Sequence, residues 1–286
     1  MTLRVVVVNP KGGSGKTTVA TNLLAAYARA DRRTALIDRD RQGSAMRWLK
    51  LRGTELPRIH GIAAYEDPPP NVTRSFAMRI PPETERVVVD TAAALSRHEL
   101  VDAVRRADKI LVPVLPSDID IHAAARCIGD LLVHARVPRG PRVLGVVANR
   151  IKRNTVAYEA LMRFLDSLGV PVVAVLRDVQ AYVKSARYGQ GVVDLRASEA
   201  GPELRQWRAL MRWIDEDRVP RRHPVLDDAP ASAAEEPGAE PADGPAQPAE
   251  AVAHSLLSMP PWGIAGDADA DRPARQNGGH ADDRRR

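Results

Sequence analysis

The amino-acid sequence predicts an α/β fold: a doubly wound, mostly parallel sheet with helices on both faces. Three observations carry that reading. Short apolar runs at residues 3–8, 34–38, 86–90, 109–114, 143–149 and 172–176 alternate with amphipathic stretches that include 19–30, 97–107, 120–133, 155–168 and 202–214. The runs are nearly continuous in valine, leucine and isoleucine, as parallel strands covered on both faces must be. The polar residues that stand out fall at the carboxyl ends of those runs, where open α/β sheets place their ligand crevice.

The first strand leads into Asn-Pro-Lys-Gly-Gly-Ser-Gly-Lys-Thr-Thr at residues 9–18. Gly12, Gly13 and Gly15 let successive backbone N–H groups turn inward around Ser14 as a nest, and the helix that opens near Lys16 adds its positive dipole end. Strand, glycine-rich loop and helix in that order form a P-loop, a device for holding nucleotide phosphates. Lys16 is placed to neutralise phosphate charge and Thr17 to ligate the magnesium that travels with ATP, with Thr18 completing the phosphate-facing turn. The ordinary P-loop spacing asks for glycine where this chain has Pro10. An additional lysine, Lys11, opens the loop instead.

The second strand ends in TALIDRDRQGS, which sets Asp38 and Asp40 one residue apart. Alternate residues of an extended chain face one side, so both acids can project toward the neighbouring loop, with magnesium or water between them and phosphate. The third strand, RVVVD, ends on Asp90, the position of a Walker B carboxylate able to hold a magnesium-bound water across from Thr17. A lone aspartate after a strand is often only a helix cap, and the P-loop upstream is what favours the metal role. The strand at 143–149 ends in Asn149, whose amide offers both a donor and an acceptor and so suits an adenine edge; a turn asparagine is the plainer alternative.

The segment KGGSGKTT with its loop-initial lysine resembles the deviant Walker A motif of the ParA/MinD family, and the likeness extends over about residues 3–215. That resemblance implies a weak, partner-stimulated ATPase using ATP and Mg2+, in which Lys11 reaches the phosphates of a second subunit in an ATP-bound homodimer. It implies that Asp38 lies near the metal, that Asp40 orients the attacking water and that Asn149 reads the base, with residues 177–182 over the base beside the dimer interface. Family members commonly read D-x-D-P-Q-G and D-T-P-P where this chain has Arg41 and two alanines. Small members position or segregate a cargo, a plasmid, a chromosome or a large protein assembly, with a ParB-like or adaptor protein stimulating hydrolysis. Two other readings stand beside this one: a small-molecule ATP-dependent ligase on the same fold, against which Lys11 speaks, and a non-catalytic nucleotide-dependent scaffold, against which Lys16, Thr17, Asp40 and Asp90 speak.

Composition divides the chain at residue 219. Residues 220–286 are rich in alanine, proline and acids without a periodic apolar face, so a disordered acidic tail is expected after a domain at 1–219. An apolar island at 255–264 (SLLSMPPWGI) interrupts it. From His223 onward twelve acids stand against five arginines, a net of minus seven; the chain total of plus six therefore leaves plus thirteen on the preceding residues. Such a domain binds polyanions, nucleic acid foremost. Lys184, Arg187, Arg196, Arg205, Arg208 and Arg212 are the candidate contacts, in the region through which ParA relatives bind DNA without sequence preference; Gln180 stands where many of them carry a base. The single cysteine, Cys127, precludes an internal disulfide. No run has the length of a membrane span, and residues 1–8 lack the features of a signal peptide. A cytoplasmic, nucleoid-associated protein without membrane contact is the expectation.

Overall fold

The computed structural model describes residues 2–216, apart from Arg139, Pro141, Arg153 and Asn154. The expected acidic tail and its apolar island lie outside the described residues. The elements in chain order are β1 (Leu3–Val7), α1 (Lys16–Arg29), β2 (Thr34–Asp38), α2 (Ser44–Leu51), β3 (Ile59–Ala63), α3 (Arg74–Ala77), β4 (Arg86–Asp90), α4 (Arg97–Val104), β5 (Lys109–Val114), α5 (Asp118–Val133), β6 (Leu144–Ile151), α6 (Val156–Leu168), β7 (Val172–Arg177), α7 (Gln180–Ala186), a 3-10 turn at Val192–Asp194, and α8 (Ala197–Glu216).

The seven strands run in the order β3-β2-β4-β1-β5-β6-β7, and every pairing is parallel. The chain first builds outward from β1 to β2 and β3, returns to insert β4 beside β1, and then crosses β1 to add β5, β6 and β7 on the other side. That reversal opens a crevice at the carboxyl end of β1. The residues after β1, β2 and β4 all gather there.

Apart from the edge strand β3, the strands are buried on both faces. On β1, Val6 and Val8 point into a core shared with α4, α5 and α6, whereas Val5 and Val7 point into a second core built from α1, α2 and α8. The same alternation continues on β4, where Val87 and Val89 face one core and Val88 the other. Two layers of helix thus explain the unbroken apolar strands.

Four elements escape the hydrophobic pattern: β3, α2 and the still shorter helices α3 and α7. β3 reads IHGIA at the sheet edge and carries an exposed histidine, so it shows no continuous apolar run. α2 is eight residues long and buries only Ala45 and Trp48, too short a stretch for a clear period. The last helix also begins earlier than expected, at Ala197, with a break at Ala200 ahead of Pro202, whose missing N–H and ring prevent a straight run.

Gly145 on β6 sits where a Cβ would lie 2.7 Å from Val173 Cγ1 and 3.0 Å from the buried Trp213 ring. Valine is stiff and the indole is fully enclosed, so neither can yield without repacking. Gly145→Ala is expected to lower stability by about 1–3 kcal/mol, read as a fall in the denaturant midpoint without a change in slope.

Candidate functional site

The glycine-rich loop spans the gap between β1 and the first turn of α1. Its start is pinned by Asn9, fully buried, which donates from Nδ2 to the Pro113 carbonyl on β5 at 2.7 Å and accepts the Lys11 N–H on Oδ1 at 2.9 Å. Its end is Gly15, in the left-handed region with φ of 91° immediately before α1, where a Cβ would lie 2.1 Å from Asn149 Nδ2. Only glycine permits both the backbone and that approach. Asn149 Nδ2 donates to the Ser14 carbonyl at 2.9 Å and Asn149 Oδ1 accepts the Arg150 N–H at 3.0 Å. The amide expected at a base edge is thus engaged by backbone at both ends and braces the loop from behind. Beside it opens a cleft of about 300 Å³ lined by Gly13 and Thr18 of the phosphate loop and α1, by Arg150 at the end of β6, and by Asp178 and Tyr182 after β7.

Three side chains meet at the floor of the loop. Thr17 Oγ1 donates to Asp90 Oδ2 at 2.7 Å, and buried Lys16 donates from Nζ to the Lys11 carbonyl at 3.2 Å. Burial lowers the Lys16 ammonium from its ordinary value, against the opposing pull of Asp90 and Asp40. Asp90 is fully buried, and burial pushes its carboxyl up to about 7 even though the Thr17 hydroxyl bond favours the charged form. Its second oxygen, Oδ1, has no hydrogen-bond partner among the described residues, nor has the Ser14 hydroxyl. A buried carboxylate oxygen without a donor is costly, and a divalent cation or its bound water is the partner that chemistry supplies. Thr17 and Asp90 therefore fit a magnesium ion carried by a nucleotide. Among the described residues no group of three or more His, Cys, Asp or Glu side chains is arranged to hold a metal by itself. The nucleotide and water would have to provide most of the ligands, as is usual for Mg2+.

Asp38 and Asp90 stand side by side on paired strands. The two acids face different tasks. Asp38 is fully buried, with Oδ1 accepting the Asp40 N–H and Oδ2 the Met46 N–H, each at 3.0 Å, so its carboxylate ties both ends of the loop that leads into α2. Burial raises its carboxyl, and those amide bonds work in the opposite direction. Asp40 is partly exposed, accepts the Gln42 N–H at 3.0 Å and lines an adjoining cavity of about 360 Å³ with Arg39, Arg41, Tyr65, Arg74 and Thr91. Lys11 is partly exposed, and its ammonium makes no ion pair or side-chain hydrogen bond with the described residues. Tyr65 had no signal in the sequence because it follows β3, the edge strand without a continuous apolar run; Asn9 stood in the loop motif, but its bond to Pro113 across the sheet did not show there.

The basic candidates separate into two groups. Lys184 and Arg187 line a cleft of about 640 Å³ between α7 and the start of α8, together with Arg177, Tyr188 and Gln190. Arg205, Arg208 and Arg212 recur along one exposed stripe of α8, beside a second cavity of about 530 Å³. Arg196 is exposed and belongs to neither lining. Among the described residues no helix is long and apolar enough to cross a membrane.

Residues 5–192 match the family model described as the CobQ/CobB/MinD/ParA nucleotide binding domain. The chain is 32% identical over 216 residues to the Maintenance of carboxysome distribution protein A of Gloeobacter kilaueensis, an overlap that covers 74% of this chain and 94% of the relative. In fold it is similar to a chain of the MinC:MinD cell division protein complex of Aquifex aeolicus, with a TM-score of 0.59 and 20% identity over 77% of this chain and 98% of that one. It is also similar to the septum site-determining protein MinD of Pyrococcus horikoshii complexed with Mg-ADP, with a TM-score of 0.54 and 17% identity over 76% and 97% of the two chains. The glycine-rich loop, the Thr17–Asp90 pair and the matched span agree with one another: the chain belongs to the CobQ/CobB/MinD/ParA family of nucleotide-binding proteins.

Proposed function

We propose that this protein is an ATPase that dimerises around ATP, binds DNA without sequence preference in that state, and positions or segregates a large cargo. The single observation that carries the reading is the Lys16–Thr17–Asp90 cluster under a preformed phosphate loop, with the unpaired Asp90 Oδ1 facing the place of a nucleotide-bound cation. The name of the Gloeobacter relative favours cargo distribution as the process. Magnesium would supply charge neutralisation at the phosphates when bound. Lys16 would hold phosphate oxygens in place of the Lys11 carbonyl, Thr17 and Asp90 would hold the cation, and Asp38 fixes the loop that carries Asp40. Asp40 is the group placed to orient a water. Lys11, whose ammonium has no partner among the described residues, is the residue available to a second subunit's phosphates.

Role separation follows. Lys16 touches phosphate in the ground state, whereas a water-orienting acid matters mainly in the transition state. Lys16→Ala should abolish nucleotide binding, and Asp40→Ala should bind ATP normally while turnover falls about 10²–10⁴-fold. Equilibrium binding and steady-state hydrolysis on both variants decide it; normal turnover by Asp40→Ala removes that residue from the mechanism.

Lys11→Ala should bind ATP as a monomer but fail to dimerise with it, because phosphate charge across the interface is left uncompensated. Light scattering with and without ATP gives the answer, and a variant that dimerises like wild type rules out the action in trans.

DNA binding should require ATP and weaken steeply with salt, with log affinity falling by about 0.9 per neutralised phosphate for each unit of log salt. Two basic faces side by side would roughly double that slope over a monomer's. Deleting the chain after Arg222 removes the net minus seven counted above and should strengthen binding. A salt titration with ATP, with ADP and with the truncated chain tests this; weak, nucleotide-independent binding in all three defeats the DNA-carrier reading.

A further inference from the structure

α2 connects the two halves of the molecule that the proposed function needs. Its first turn hangs on the nucleotide site through the Met46 N–H bond to Asp38 Oδ2. Its far end is bolted to the segment that follows α7. Trp48, nearly buried, donates from Nε1 to the Gln190 carbonyl at 3.1 Å, and Arg52 donates from Nη1 to the Gly189 carbonyl at 3.0 Å and to Asp194 Oδ2 at 2.9 Å. The Arg52 and Asp194 side chains are 3% and 0% exposed, and the guanidinium lies 5.6 Å from the centre of the Trp48 ring. The contact is too close for any side chain at Gly189, which has a φ of 64° and where a Cβ would meet the Arg52 backbone nitrogen at 2.2 Å.

The same segment is held on its other side by the phosphate-loop helix. Val192 N–H donates to Asn22 Oδ1 at 2.8 Å, and Arg29 pairs with Asp194 Oδ1 at 2.8 Å, both from α1. Within the segment, the N–H groups of Tyr188 and Gln190 both return to the Ser185 carbonyl at the end of α7. Ser185 is buried, and its neighbours Lys184 and Arg187 line the basic cleft. Residues 187–194 are therefore clamped between two helices that each begin at the nucleotide site, one after the phosphate loop and one after the Asp40 loop. An eight-residue helix is a rigid rod of about 12 Å. A shift at its first turn cannot be absorbed inside it.

We infer that Trp48 and Arg52 are positioning residues that transmit the nucleotide-dependent setting of the Asp38–Met46 loop to the Lys184 and Arg187 cleft, so that polyanion affinity there follows the nucleotide state. The inference rests on the DNA-binding reading for its functional outcome but not for its mechanical content. None of the three residues involved, Trp48, Arg52 and Asp194, touches the phosphate loop, so nucleotide affinity is expected to survive their substitution.

Two variants separate the link from the fold. Arg52→Met with Asp194→Asn removes both buried charges together, which avoids stranding one of them, and an asparagine can still accept the Gly191 N–H that Asp194 accepts at 3.0 Å. Trp48→Phe keeps the ring and the ion pair and removes only the N–H donor; it decides alone if the double variant does not fold. Hydrogen exchange of residues 187–194 in the full chain, with and without Mg-ATP, reports the mechanical link. The ratio of duplex DNA affinities with ATP and with ADP reports its consequence. The wild-type chain should show a nucleotide-dependent change in exchange in this segment and a ratio in the range of about 5–150. Both variants should bind ATP and dimerise with it like wild type, lose the exchange change, and lower the ratio. Variants that retain the wild-type exchange change and ratio overturn the inference, as does a wild-type segment whose exchange ignores nucleotide. Absence of DNA binding by the wild type defeats the DNA reading alone, and the exchange measurement still decides the link.

Discussion

The nucleotide site depends on one buried carboxyl group. Asp90 ends a central strand, is enclosed on all sides, and has a hydroxyl partner for only one of its two oxygens. In the free protein, burial holds its proton affinity near neutrality; a cation seated against Oδ1 would displace that proton and make the charged form the favoured one. Burial also lowers the Lys16 ammonium from its ordinary value, against the pull of Asp90. Burial disfavours the charged form of both groups.

The phosphate loop itself was legible in the sequence because its chemistry is local: glycines, Lys16 and Thr17 follow a strand and open a helix within ten residues. The acids were legible because they terminate apolar strands. What the pattern hid is everything that depends on chain segments meeting across the fold. Asn149 reaches Ser14 across 135 residues, and Arg52 reaches Asp194 across 142. Neither side chain differs in type from a turn or surface residue, so only the packed sheet reveals that one braces the loop and the other is buried. Asp38 illustrates the intermediate case: its position was readable, but its engagement with two backbone amides follows from how the chain turns into α2. β3, α2, α3 and α7 were missed for the plainer reason that an edge strand with one exposed face and helices of two turns or fewer carry little periodic signal.

Charge tells a similar story. The excess of arginine predicted a polyanion-binding domain, but the fold distributes it over separate places, one a cleft beside α7 and the other a stripe along α8. The first is fastened to the helices of the nucleotide site and the second to the sheet through the buried Trp207 and Trp213. Equal charges on the surface are thus unequal in their connection to the chemistry, a distinction that net charge and residue spacing do not contain.

The central place of β1 has a consequence for synthesis. Leu3 finds its partner at Arg86 and Val5 its other partner at Lys109, so β1 has neither neighbour when it leaves the ribosome. At about 5–20 residues per second, β4 follows on the order of 4–17 s later. During that interval a run of four valines has no sheet to join, and long-range parallel pairing is intrinsically slow once the partners exist. The geometry that puts the phosphate loop at the heart of the sheet thus leaves the strand that carries it unpaired until the distant β4 has been made.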